Sequence, residues 1–335
     1  MKLAMQTTPT TPSLERLFHP KSIAVVGGKS ALEAIEQCQK LGFKGEIWPI
    51  HPSHKTMAGL QCYPDVASLP DAPDACFVAV PAMATIEVVA ELAKKGAGGV
   101  ICYASGFSEI GAIGQERQEQ LIQAAKGMPL LGPNCYGMVN YLDGFALWPD
   151  QHGGQRVSEG VAIITQSGNI GLNLTMQTRG LPLAYMITVG NKAGVDFPEM
   201  IEALLEDPKI TAIGMHIEGL SNVEAFSKAA LKALQKGIPL VALKSGSSSK
   251  GAQITMSHTS SLSGADQLYD ALFERFGIGR VYNPSSLIET LKFLHVSAKR
   301  GPLTSNSITS ASCSGGEASL VADLAQRHGL EMPDL

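Results

Sequence analysis

Ser22-Ile-Ala-Val-Val-Gly-Gly-Lys-Ser-Ala-Leu32 is the stretch that decides the fold. A short apolar run closed by Gly27-Gly28 reads as a buried strand ending in a tight turn. Ala31, Ile35, Cys38 and Leu41 then recur at helical spacing. Strand, glycine turn and helix together open a nucleotide-binding α/β domain. Downstream, strands are predicted at 46–50, 75–80, 99–103 and 129–131, with helices at about 83–95 and 113–126. Their alternation predicts a parallel sheet.

The pattern then starts afresh. A polar, glycine-containing stretch from Asp150 to Glu159 precedes a new strand at Val161, which sets a domain boundary at 150/151. The run 160–165 leads into Gln166-Ser167-Gly168-Asn169-Ile170-Gly171 and a helix, a second strand, glycine loop and helix start. Strands at 185–189, 212–217 and 238–243 alternate with helices at 197–205 and 223–236. After them comes a long polar loop, 244–264, whose single histidine is His258. Leu268, Leu272 and Phe276 lie at helical spacing beyond it, and another helix is expected at 285–298. A strand at 307–311, then Gly315-Gly316 and a helical pattern, read as a third α/β domain barely begun. The expectation is therefore a disordered lead-in at 1–12, domains at 13–150 and 151–300, and the start of another at 301–335. A third sheet begun this late leads to the expectation of a fragment or of one part of a larger assembly.

Composition narrows the class. The chain has 335 residues, 44% hydrophobic and 17% charged, with a net charge of −4. Those values fit a globular protein with substantial cores, and no basic face is offered to nucleic acid. The longest apolar stretch, near 75–84, is about half of a membrane span and contains Pro81. No apolar core of a signal peptide precedes the Thr- and Pro-rich start, so a cytoplasmic location is expected. Six cysteines without C-x-x-C spacing read as reduced core residues.

Candidate binding residues follow from strand ends, because ligands of open α/β sheets lie across the carboxyl edge. Gly27, Gly28, Lys29 and Ser30 offer a glycine turn, a cation and a helix start, although a turn doing only backbone work with Lys29 solvated fits the same residues. Trp48-Pro-Ile-His-Pro52 ends the second strand without the acidic side chain that an NAD domain needs for the ribose, so NAD is disfavoured and a CoA-type ligand fits better. Val80-Pro81, Ser105-Gly106 and Asn134 sit at later strand ends. Gln166, Ser167, Gly168 and Asn169 form a candidate phosphate loop, and Glu218 ends the strand that faces the His258 loop. On residue type alone, a loop histidine is an ordinary solvated side chain.

Taken together, Leu17-Phe-His-Pro-Lys-Ser-Ile-Ala-Val-Val-Gly27, Gly42-Phe43, Gly45, Leu131-Gly-Pro-Asn-Cys135, Gln166-Ser-Gly168, Gly190-Asn191, Lys244-Ser-Gly246 and Ser257-His258-Thr259 resemble the ADP-forming (NDP-forming) acyl-CoA synthetases, including the α subunit of succinyl-CoA synthetase. The resemblance runs from about Leu17 to Leu330. It implies a Rossmann-like CoA-binding domain followed by a flavodoxin-like domain whose loop carries a phosphorylated His258, steadied by Glu218. It also implies an acid–thiol ligase that joins a small carboxylic acid to CoA through phosphohistidine and acyl phosphate. ATP and Mg2+ would be held by an ATP-grasp domain or subunit, in an oligomer. The chain departs from the family's pattern in its shorter first glycine loop and in Ser260, where glycine is common. Two other readings are a CoA-sensing module of an acetyltransferase-type fusion, which has no need to keep both His258 and Glu218, and an NAD-dependent oxidoreductase. Asn169 and Lys192 point to a small polar or charged acid.

Overall fold

Strands covered by helices on both faces must be apolar along their whole length, and this is how the parallel strands of the protein read. In a computed structural model, residues 13–251, 266–298, 300, 301 and 303–334 are described. The first half comprises α1 (Glu15–Phe18), β1 (Ser22–Gly27), α2 (Lys29–Leu41), β2 (Glu46–Ile50), a small antiparallel pair β3 (Thr56–Met57) and β4 (Leu60–Gln61), β5 (Ala75–Ala79), α3 (Ala82–Lys95), β6 (Val100–Cys102), α4 (Ala112–Ala125) and β7 (Leu130–Leu131). Its Rossmann-like sheet is parallel in the order β2-β1-β5-β6-β7. Residues Ile23, Ala24 and Val25 are fully buried, and α2 packs through Ala31, Ala34, Ile35 and Cys38.

The second half comprises β8 (Met138–Asn140), β9 (Phe145–Leu147), β10 (Gly160–Thr165), α5 (Gly168–Thr175), β11 (Leu183–Thr188), α6 (Phe197–Leu204), β12 (Ile210–Ile217), α7 (Val223–Lys236), β13 (Leu240–Lys244), α8 (Asp266–Arg275), β14 (Gly279–Val281) and α9 (Pro284–Ala298). Its sheet has the order β14-β13-β12-β10-β11-β8-β9. Numbered within each half, the parallel strands of both sheets run 2-1-3-4-5, the flavodoxin-like order. Each sheet therefore has a switch point at its first strand, where a crevice opens at the carboxyl edge. Among the described residues, no helix is long and apolar enough to cross a membrane.

Three expectations need correction. The boundary at 150/151 falls after the hairpin β8–β9, yet β8 pairs antiparallel with β11, Met138 opposite Ile187 and Asn140 opposite Tyr185, so the hairpin completes the second sheet. The Gly137 N–H also donates to Thr188 Oγ1 at 2.7 Å. One apolar cluster runs from Leu14 and Ile23 through Phe145 and Ile164 to Phe273, and residues up to 294 form one compact unit. In α8 the buried face is Tyr269 and Phe273, not Leu268, which is 67% exposed. Residues 295–334 form a separate unit. There α10 (Gly315–Arg327) starts at Ser314, whose Oγ accepts from the Glu317 N–H, and the strand expected at 307–311 is a single bridge between Ser307 and Glu331.

Candidate active site at the carboxyl edges of two sheets

The carboxyl edges of both sheets border one cavity of about 590 Å³. From the first sheet it is lined by Val80, Pro81, Ser105 and Asn134, and from the second by Gln166, Ser167, Gly168, Asn169 and Glu218. Residues expected from sequence to touch CoA and residues expected to touch phosphate thus share a wall. Tyr103, Tyr136, Asn191 and Lys192 complete much of it.

The glycine turn at β1 lies elsewhere. Gly27 has φ +134°, and a Cβ there would stand 2.4 Å from the Ala79 carbonyl oxygen, so this glycine serves the close approach of β1 and β5. Neither Gly27 nor Gly28 lines the cavity. Lys29 and Ser30 border a separate depression of about 330 Å³ with Glu33, Asp150 and Gln151. Pro52 is exposed beyond β2, and Gly106 stands one residue behind Ser105 without lining the cavity. The reason is local: α2 begins at Lys29 directly after the turn, leaving no free loop to reach toward the crevice.

In the second half, the loop after β10 is shaped by its own polar side chains. Thr165 Oγ1 accepts from the Ser167 N–H at 3.1 Å, and Ser167 caps α5 by accepting from the Ile170 N–H at 3.3 Å. Gly168 and Asn169, the first residues of α5, line the cavity wall, and a helix N-terminus is a favourable place for an anion. Gly168 is held by packing, since a Cβ there would sit 2.3 Å from Tyr136 Cδ2. Gln166, only 6% exposed, lines the cavity and has a structural task besides. Its Oε1 accepts from the N–H groups of Glu218 and Gly219, and its Nε2 donates to the Gly219 carbonyl at 3.1 Å. Gln166 therefore fixes the turn that presents Glu218.

The loop after β11 belongs to the second half but is mounted on the first. The Asn191 and Ala193 N–H groups donate to the carbonyls of Pro133 and Gly132, both at 2.9 Å. The Asn191 side chain donates to Glu109 Oε2 at 2.5 Å, while Glu109 Oε1 accepts from the Gly106 and Phe107 N–H groups. Burial alone would push the Glu109 carboxyl up, but the hydrogen bonds from Asn191 and the backbone bring it below its ordinary value. Asn134, at φ +56°, adds a contact from Nδ2 to Asn191 Oδ1 at 3.3 Å.

Three further charged or titratable groups lie near this edge, of which only Lys192 is singled out from the sequence as a substrate contact. His216 interrupts the buried part of strand β12 and bridges Thr165 Oγ1 at 3.1 Å and Ser245 Oγ at 3.2 Å. Lys244, buried at the end of β13, lies 4.7 Å from the centre of the Tyr269 ring and ties α8 to the sheet. Burial lowers its pKa. Lys192 enters the cavity itself. His258 lies outside the described residues.

Comparison with known proteins agrees with this geometry. Residues 21–141 match a family described as a CoA binding domain, and residues 158–294 one described as a succinyl-CoA ligase like flavodoxin domain. The ADP-forming acetate–CoA ligase II of Archaeoglobus fulgidus is 34% identical over 298 residues, covering 84% of this chain and 43% of that protein. The α subunit of the ADP-forming acetate–CoA ligase I of Pyrococcus furiosus is 31% identical over 337 residues, covering 96% of this chain and 71% of the subunit. Among solved structures, the dinucleotide-forming acetyl-coenzyme A synthetase 1 of Ca. Korarchaeum cryptofilum, in complex with phosphate and ADP, superposes with a TM-score of 0.85 at 27% identity, covering 96% of this chain and 70% of that one. The chain thus spans less than half the length of the Archaeoglobus relative and most of the Pyrococcus subunit. On these grounds the chain belongs to the family of ADP-forming acyl-CoA synthetases, as the counterpart of their succinyl-CoA synthetase α-subunit-like portion.

Proposed function

We propose that this chain is the CoA-binding and phosphohistidine part of an ADP-forming acyl-CoA synthetase acting on a small carboxylic acid. The observation that carries the reading is the single cavity in which Val80, Pro81, Ser105 and Asn134 face Gln166–Asn169 and Glu218. In the direction of acyl-CoA breakdown, phosphate attacks the thioester carbonyl and the CoA thiolate leaves, giving an acyl phosphate. A His258 nitrogen then takes the phosphoryl group, releasing the carboxylate. Glu218, presented by the Gln166 clamp, orients the imidazole. The α5 N-terminus stabilises the phosphoryl oxygens. ATP and Mg2+ belong to an ATP-grasp domain or partner subunit, where the phosphoryl group is exchanged with the nucleotide. The acetate–CoA ligase relatives support a short acid and favour catalysis over a CoA-sensing module. We place the enzyme in the cytoplasm and in an oligomeric assembly.

Radiolabelled phosphate with acetyl-CoA and the 335-residue chain tests this. The expected product is a protein label stable to base and lost in acid, as a phosphoramidate is, and absent from His258→Ala. A label that survives His258→Ala and disappears in Ser257→Ala would overturn the assignment. ATP should label the chain only when an ATP-grasp partner is added.

A further inference from the structure

Among the described residues that line the cavity, Lys192 is the lone cation. Its side chain is 5% exposed, and an ammonium removed from water is normally compensated by a close carboxylate and a full set of acceptors. Among the described residues Lys192 has one close acceptor and a long ion pair, with the Glu218 carboxylate of the same cavity adding its charge. Nζ donates to the Gly219 carbonyl at 3.0 Å, but Asp196 Oδ2 is 3.9 Å away, beyond hydrogen-bond reach. Asp196 is already engaged: it caps α6 through the Phe197 N–H at 2.7 Å and takes a further hydrogen bond from the Ser221 side chain. An ammonium has three N–H donors, so donors remain for the cavity.

The backbone adds a second, independent observation. Lys192 sits at φ +57°, a left-handed conformation in which glycine or asparagine is the inexpensive choice. A lysine there carries a backbone cost that glycine would not, and the loop is pinned on both flanks by the carbonyls of Pro133 and Gly132. The same cavity wall includes the first residues of α5, so two sources of positive potential border one space.

We propose that Lys192 is a catalytic residue whose ammonium binds a phosphate dianion in this cavity, either free phosphate or the phosphoryl group of an acyl phosphate. The proposal deepens the functional reading above and rests on it for the reaction, though not for the anion. It also gives Gly219 a purpose, since the hydrogen bond from Lys192 and the clamp from Gln166 hold one turn from two sides.

Calorimetric titration of the 335-residue chain with inorganic phosphate, acetyl phosphate, acetate and CoA separates the possibilities. Lys192→Gln removes the charge but keeps a donor for the Gly219 carbonyl, and Lys192→Arg keeps the charge. Wild type should bind at least one of the two phosphates, and the tighter of them identifies the source. Lys192→Gln should weaken that binding at least thirtyfold while CoA affinity stays within twofold, and Lys192→Arg should recover most of the loss. Should Lys192→Gln fail to match the wild-type melting profile, Lys192→Met is judged by the same thresholds. Phosphate affinity within threefold of wild type in a folded neutral variant overturns the proposal. So does acetate binding as tight as phosphate, or a wild type that binds neither phosphate compound. Lys192-dependent phosphate binding without CoA binding would instead sink the functional reading and leave the anion site standing.

Discussion

His216 is a polar ring placed where three strands end, 1% exposed, with one nitrogen on the Thr165 hydroxyl and the other on that of Ser245. Burial first, and the neighbouring Lys244 charge second, push its pKa down to about 4 from an ordinary value of 6.5. The sign follows from linkage. In the unfolded chain the ring takes up a proton near pH 6.5, whereas in the folded chain it resists until about 4, so its contribution is fully present above 6.5 and is lost as pH falls toward 4. A shift of this size corresponds to about 3 kcal/mol at most across that window. Urea denaturation of wild type and His216→Gln at pH 7, 5.5 and 4.5 checks it: the wild type should lose more stability on acidification than the variant. Parallel curves would mean that the ring does not titrate between the two states.

At the scale of elements, the start of α5 decides the cavity's shape. Gly168 lies under Tyr136, whose ring is held by Trp148 at 5.2 Å and by Tyr103 at 6.2 Å between centroids, so it cannot swing aside freely. Adding one methyl by Gly168→Ala is therefore expected to destabilise by about 1–3 kcal/mol, the usual range for overpacking. A double-mutant cycle with Tyr136→Ala should recover much of the loss, because the clash partner is gone. Strict additivity of the two changes would show that Tyr136 is not what excludes the methyl group. Helix α5 also shows why the sequence was informative here: an apolar run, a small residue at the cap and a glycine at the first turn are local signals, each readable without knowing what packs above.

For the whole molecule, the hairpin β8–β9 binds the two halves into one folding unit. It follows the first sheet in sequence but pairs with β11 of the second, and α2 of the first half packs against β9. A fragment of residues 1–150 would carry the hairpin without its partner strand and leave Met138, Val139, Phe145 and Leu147, all fully buried in the intact protein, without their cover. That fragment is expected to bind a hydrophobic dye and melt without a cooperative transition. A sharp two-state melt for 1–150 would show that the first sheet folds unaided.

The sequence by itself determined the two α/β halves, because strands buried on both faces must be continuously apolar and their helices must repeat every three to four residues. It also placed Val80, Pro81, Ser105, Asn134, Gln166–Asn169 and Glu218 at strand carboxyl ends, where they line one cavity, since the rule that ligands gather there needs only the strand positions. The proposal for His258 rests only on the family's loop motif. Tertiary structure alone decided that β8 and β9 join the second sheet: three-residue strands carry almost no periodic signal, and their partner is some 45 residues away in the chain. It alone showed Gln166 as the clamp on Gly219, moved Lys29 and Ser30 to a separate depression, and buried Lys192 beside Asp196 at 3.9 Å. Periodicity records whether a residue is covered; which group covers it, and how far its hydrogen bonds are already spent, depends on chain segments brought together only by folding.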